Sequence, residues 1–284
     1  EQNNCLKILI KIILNMNKRI INPGSFEHRF DGISRLYGVN NIDILKKSHV
    51  AIVGIGGVGS WTAEALARSG IGSLTLIDWD DVCYSNINRQ IHALSNTVTK
   101  SKIAVLSERI NLINPACKIN AIREFYTMDN AHSLLHEGLS YVIDAIDRKN
   151  TKIHMINFCK KINIPIITCG GAGGKSDPNK IQVADLGESI NDPLLAQIRK
   201  QLRRDLNLPK EKKIKFKIPC VYSSEPMKYP DCDGSITSEK PEKNHPLQLD
   251  CTNGFGSATH ITGSFGFKLA GYVINDLILK ANQF

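Results

Sequence analysis

No two of the eight cysteines, at positions 5, 83, 117, 159, 169, 220, 232 and 251, stand in a CxxC pair. A four-thiolate zinc site normally carries such pairs, because two thiolates on one tight turn preorganise half of the tetrahedron. Their absence argues against a structural zinc of that kind. The scatter suits reduced thiols of a cytoplasmic protein better than the disulfide framework of a small secreted domain. Long apolar runs are also missing. "CLKILIKIIL", at 5–14, is short and broken by two lysines, so it neither spans a bilayer nor reads as a signal-peptide core. Acidic residues are in the minority, 27 against 36 Lys and Arg, for a formal charge of +9. That excess makes a polyanion, nucleic acid foremost, a candidate partner. No internal repeat is visible.

What is present is a chain of 284 residues, long enough to bury the core of one large α/β domain. Met16 precedes a plausible beginning, "MNKRIINPGS". Residues 1–15 are expected to be an extension outside the folded domain, or else a short amphipathic helix on its surface. The boundary falls near residue 25, leaving 26–284 as a single domain.

From His49 to about Thr168 the pattern alternates strand and helix, which predicts a doubly wound, mostly parallel sheet covered on both faces. "HVAIVG", "SLTLID", "CKINAIREF", "YVIDAID" and "IPIITCGGAGG" read as successive strands. Between them lie helical patterns at 58–69, "KSKIAVLSERINLINP", "DNAHSLLHEG" and "TKIHMINFCKKIN". "KIQVADLGES" suggests one further strand, and residues 191–245, rich in Pro, Lys and Asp, read as a basic irregular segment. Within it, nine basic residues face two acidic ones between Arg199 and Lys217. A solvated helix and loop accounts for such a run as well as a contact for nucleic acid phosphates does. The apolar tail from Gly256 to Lys280 is broken by His260, Lys268 and Asp276 and predicts a packed C-terminal helix.

"GIGGVG" at 54–59 follows a strand and opens a helix, the context that the GxGxxG fingerprint requires. Gly54 allows the tight turn, Gly56 admits phosphate to the backbone, and Gly59 lets helix and strand pack closely. Amides at the helix start then face an anion. Asp78, ending the second strand, is placed to accept ribose hydroxyls. To this point a nicotinamide dehydrogenase and an adenylating enzyme fit equally. The next stretch, "WDDVCYSNINRQIHALSNTVTKSK", separates them by supplying Asn86, Arg89, Gln90 and Lys102. Attack on an α-phosphorus piles negative charge on its oxygens and on the departing pyrophosphate, and fixed cations stabilise that change. Asp147, just past a strand end in "VIDAIDRKNTK", is placed to hold a magnesium ion bridging phosphates. Taken singly, Arg89 and Lys102 read as surface charges, and Asp144 and Asp147 as helix N-caps.

The set GxGGxG, "LIDWDDV", "SNINRQ", a following Lys, "INP" and "DAID" resembles the ubiquitin-activating-type adenylating enzymes. "RFDGISRLYG", "NRQIHAL", "TCGGAGGKSDPNKIQVADL", "DCDGS" and "DCTNGFGSATHITGSFGF" narrow the resemblance to the branch that dehydrates threonylcarbamoyladenosine in tRNA. The likeness runs over roughly residues 26–280. It implies a homodimer that adenylates the threonine carboxylate of the modified base with ATP and Mg2+ and then closes a ring with release of AMP. By the same resemblance Gly54, Gly56, Gly57 and Gly59 form the phosphate loop, and Asp78 holds the ribose. Asp80 and Gln90 join the nucleotide set, Asn86, Arg89 and Lys102 contact phosphates, and Asp147 handles the metal. An arginine from the other subunit would reach the γ-phosphate, with Arg29 and Arg35 as the candidates. Where relatives of this branch are expected to carry a cysteine after the "DG", this chain has Thr237, and Cys220 and Cys232 are the nearest thiols that could substitute. A sulfur-relay protein is a further conceivable partner. The competing reading is an enzyme that activates the C-terminus of a small ubiquitin-like or sulfur-carrier protein.

Overall fold

A computed structural model describes residues 22–207, 214–231, 234–238 and 255–283. The N-terminal stretch through residue 21, and with it the expectation for 1–15, lies outside the described residues. Two helices, α1 (Phe26–Tyr37) and α2 (Val39–Lys47), precede β1 (His49–Val53). The chain then alternates through α3 (Gly57–Arg68), β2 (Ser73–Ile77), α4 (Lys102–Ile113), β3 (Lys118–Ile122), α5 (Ala131–Leu134), β4 (Tyr141–Asp144), α6 (Lys149–Lys161) and β5 (Ile166–Cys169).

These strands build one seven-stranded sheet in the order β3-β2-β1-β4-β5-β7-β6, where β6 is Ile181–Asp185 and β7 is Pro219–Ser223. Each pairing is parallel except that of β6 with β7. The central strands are apolar runs because both of their faces are covered. Every residue of β4 and β5 is buried, whereas β3, on the sheet edge, is mostly exposed. The chain leaves β1 toward β2 and β3 on one side and returns through β4 and β5 on the other. The crevice beyond the carboxyl ends of β1 and β4 is therefore the topological switch point, where ligands of such sheets bind.

Core side chains divide between the two faces. One cluster packs Phe30, Leu45, Leu66, Leu106 and the apolar side of the C-terminal helix α8 (Thr259–Ala281) against the sheet. The other collects Met155, Ile156, Leu195 and Ile198 beneath α6 and α7 (Pro193–Asp205). Helix α8 lies along α3, where Phe267 meets the Trp61 ring edge-on at 5.8 Å. Among the described residues no helix is long and apolar enough to cross a membrane.

The stretch 191–245 is not irregular throughout. It holds α7, which buries Leu195, Ile198 and Leu202, and β7, which enters the sheet between β5 and β6. A charged surface hid α7 and shortness hid β7. A small hairpin, β8 (Tyr229–Pro230) with β9 (Ile236–Thr237), follows and contains Thr237. Helix α6 begins at Lys149 with Arg148 in the N-cap position, so neither Asp144 nor Asp147 caps it.

Candidate nucleotide-binding site

The glycine loop crosses from β1 to α3 at the switch point. Gly54 has φ of +90°, a conformation open to glycine and strained for other residues. A Cβ on Gly59 would stand 1.8 Å from the Gly54 carbonyl oxygen, so the helix can approach the strand only without a side chain there. At Gly56 the space is open, the nearest atom to a built Cβ being Gln90 Nε2 at 4.0 Å. Gly57 faces Thr262 Cγ2 and Arg89 Cδ, at 3.0 and 3.5 Å from a built Cβ. Helix α3 starts with no side-chain cap and no acid in its first turn, which leaves its leading amides available to an anion.

Asp78 is bound into this loop. Its Oδ2 accepts the Ile55 amide at 2.6 Å and its Oδ1 accepts the Asp80 amide at 2.9 Å. A carboxylate has acceptor capacity beyond two such bonds, which is what a ribose hydroxyl needs. Asp80, half-exposed, pairs in turn with Lys102, whose Nζ lies 2.8 Å from Asp80 Oδ2 and whose side chain is only 7% exposed. Lys102 opens α4, and its own amide donates to the Asp80 carbonyl at 3.1 Å. A chain of contacts thus joins Ile55, Asp78, Asp80 and Lys102.

Arg89 lies over Gly57. Its Nη1 donates to the Ser85 carbonyl at 2.6 Å and to Asn88 Oδ1 at 3.0 Å, while Gln90 next to it is buried beside Gly56. Asn86 is 8% exposed, and its Oδ1 accepts the Cys83 amide at 3.1 Å, so it closes the turn that carries Arg89. Asp147 is exposed just past Ala145 and Ile146, the residues that cover Gly54. Among the described residues no group of three or more His, Cys, Asp or Glu is arranged to hold a metal. One carboxylate such as Asp147 suits an ion whose other ligands are phosphate oxygens and water.

The two N-terminal arginines differ. Arg29 caps the end of α4 in its own chain, with Nη1 3.4 Å from the Leu112 carbonyl and 3.3 Å from that of Ile113. Arg35 pairs with Asp31 at 2.8 Å, and its side chain is 75% exposed. Cys220 has no exposure, and burial pushes its thiol up to about 12, so it is not a thiolate nucleophile in this state. Cys232 lies outside the described residues. The basic run divides. Arg199 donates to Ser189 Oγ and the Arg203 guanidinium lies 5.9 Å from the Phe216 ring, whereas Lys200 and Arg204 are exposed and residues 210–213 lie outside the described ones.

Two polar groups near the site were not legible as such. Asp144 and Lys152 form an ion pair at 3.0 Å with neither side chain exposed, and Thr168 Oγ1 donates to Asp144 Oδ2 at 2.6 Å. The i,i+8 spacing of Asp144 and Lys152 crosses from strand to helix and belongs to no local pattern. His92 is 1% exposed with no hydrogen-bond partner for either ring nitrogen among the described residues. Burial, and then the charge of Lys102, hold its imidazole down to about 4.

The ThiF family matches residues 32–265. The chain is 45% identical over 262 residues to the tRNA threonylcarbamoyladenosine dehydratase of Escherichia coli (strain K12), covering 92% of this chain and 98% of that protein. Its identity to the Haemophilus influenzae protein of the same name is 49% over 257 residues, covering 90% and 95%. A crystal structure of the E. coli enzyme in complex with ATP superposes with a TM-score of 0.79 at 42% identity, over 93% of this chain and 99% of that one. With glycine loop, acids and cations gathered at one switch point and likeness over nearly the full length, the chain belongs to the ThiF family, on its tRNA threonylcarbamoyladenosine dehydratase branch.

Proposed function

We propose that this chain dehydrates threonylcarbamoyladenosine in tRNA at the expense of ATP. The observation that carries the reading is the continuous contact from the glycine loop through Asp78 and Asp80 to Lys102, with Arg89 over the loop. The loop amides hold the phosphates and Asp78 holds the ribose. Lys102, nearly buried, is a fixed cation whose present partner Asp80 is half-exposed and can yield to a phosphate oxygen. Mg2+, held through Asp147, would neutralise phosphate charge.

The threonine carboxylate of the RNA attacks the α-phosphorus and pyrophosphate departs, giving an acyl-adenylate. Arg89 and Lys102 stabilise the charge that develops on the phosphate oxygens. The carbamoyl nitrogen then bonds to the activated carbonyl carbon and loses its proton, and AMP leaves with the electron pair of the acyl–oxygen bond. That closure is intramolecular, so proximity supplies much of its acceleration. No thiol is required, which agrees with the burial of Cys220. The assembly is a homodimer in which the exposed Arg35 of one subunit serves the nucleotide of the other, and a tRNA substrate fits a cytoplasmic enzyme.

The test is to incubate the protein with ATP, magnesium and modified tRNA and to weigh the released nucleoside. Loss of one water is the expected result, and an unchanged mass in repeated trials overturns the reading. Arg89→Ala and Lys102→Ala should each lower turnover by on the order of a hundredfold with an unchanged far-ultraviolet dichroism spectrum. Full turnover in both would remove these side chains from the phosphate site.

A further inference from the structure

On the carboxyl edge of the sheet, beside the nucleotide site, large aromatic side chains face outward. Trp79 follows the loop acid Asp78 directly and is 50% exposed. Phe125, three residues beyond β3, is 52% exposed and lies 6.1 Å from Trp79, centroid to centroid, with the rings inclined by 34°. A guanidinium stands at each end of the pair: Arg123 5.4 Å from the Trp79 centroid and Arg148 5.8 Å from that of Phe125. Arg123 is held in place, its Nε donating to the Trp79 carbonyl at 3.3 Å and its Nη2 pairing with Asp81 at 2.8 Å. Strands β2, β3 and β4 run in one direction, so the residues following their ends share one rim.

Each residue of the pair keeps about half of its surface in water while the rings lie together, so neither serves as core. A row of cation, ring, ring and cation is instead the chemistry that holds unpaired nucleobases. Aromatic faces stack any base, and guanidinium planes stack on bases or pair with phosphates. The net charge of +9 draws the same class of partner toward the protein.

We propose that Trp79 and Phe125, flanked by Arg123 and Arg148, form a stacking platform for the unpaired bases of the RNA beside the adenosine being modified. The proposal rests on the dehydratase reading for the identity of the RNA and adds where the RNA meets the protein. Both rings are half-exposed, as suits a ligand that arrives as part of a larger body. The platform starts one residue from the acid assigned to the ribose, so a base stacked there lies beside the nucleotide's proposed place.

The test uses the full-length enzyme and an anticodon stem-loop carrying the modified adenosine. Trp79→Ala and Phe125→Ala should each raise the KM for the RNA by roughly tenfold, with the affinity for ATP unchanged. Trp79→Tyr should restore most of the loss, which a merely structural defect would not allow. Fluorescence gives an independent readout: the RNA should quench the wild-type emission, and Trp79→Phe should abolish the quench while keeping a ring in place. A loss of ATP affinity with unchanged RNA KM would assign the platform to the adenine of ATP and overturn the proposal. Unchanged constants for both ligands would overturn it as well. Wild-type enzyme that binds the stem-loop without dehydrating it would sink the dehydratase reading instead, and the quench would still report on the platform.

Discussion

The hydroxyl of Thr262 donates to the backbone carbonyl of Arg89 across 3.0 Å, joining the C-terminal helix to the segment that carries the arginine proposed for the phosphates. Trp61 Nε1 donates to the same oxygen, also at 3.0 Å. Arg89 is therefore positioned from two helices, α3 and α8, and Thr262 also meets the position of Gly57. The C-terminal helix thus underlies the glycine loop and the Arg89 segment as well as forming part of the core.

Thr262→Val keeps the shape and removes the donor. Trp61 still satisfies the carbonyl, so the stability cost should be modest, about 1 kcal/mol. The catalytic effect should appear beside it, with kcat/KM for ATP falling several-fold as Arg89 loses its register. Steady-state kinetics beside a urea titration would check this, and unchanged kinetics with lowered stability would reduce Thr262 to a packing residue.

The buried pair of Asp144 and Lys152 predicts a different pattern. Removing one partner leaves a charge without exposure and without compensation. Lys152→Met or Asp144→Leu should therefore destabilise the fold by about 3–5 kcal/mol. Replacing both together, as Lys152→Met with Asp144→Leu, should recover much of that loss, because neither desolvated charge remains. Denaturant midpoints of the two single variants and the double variant measure the coupling, and additive losses would refute it.

His92 makes stability depend on pH on the acid side. Its folded value is lowered to about 4 from the ordinary 6.5, so the unfolded chain binds the proton more tightly. The corresponding stability is present in full above about 6.5 and is lost as pH falls from there toward 4. His92→Phe should flatten that part of the pH profile, as measured by thermal unfolding at a series of pH values. An unaltered slope would show that other groups set the acid limb.

Much of the site could be read from local sequence. The glycine loop was legible because a turn at φ of +90° and a close helix–strand approach leave few residue choices at Gly54 and Gly59. The positions of Asp78 after a strand end and of Lys102 at a helix start were legible, which is what their proposed roles use. Asn86, expected at the phosphates, uses its side-chain carbonyl oxygen to close the turn before Arg89. The thiol candidate Cys220 could not be judged at this level, since its burial comes from the packing of β7 between β5 and β6.

The amino-acid order by itself determined the alternation of strands and helices, the phosphate loop and the cations downstream of it. Each of these depends on backbone preference and periodicity within a few neighbouring residues. The tertiary structure alone decided that Thr262 would hold Arg89 from 173 residues away and that Asp144 would meet Lys152 out of water. It also decided that Trp79 and Phe125 would come to lie on one rim. Those meetings follow from the order in which strands enter the sheet and from which helix covers which face. The free energy that selects them is that of burying the whole core, which no short stretch of sequence contains.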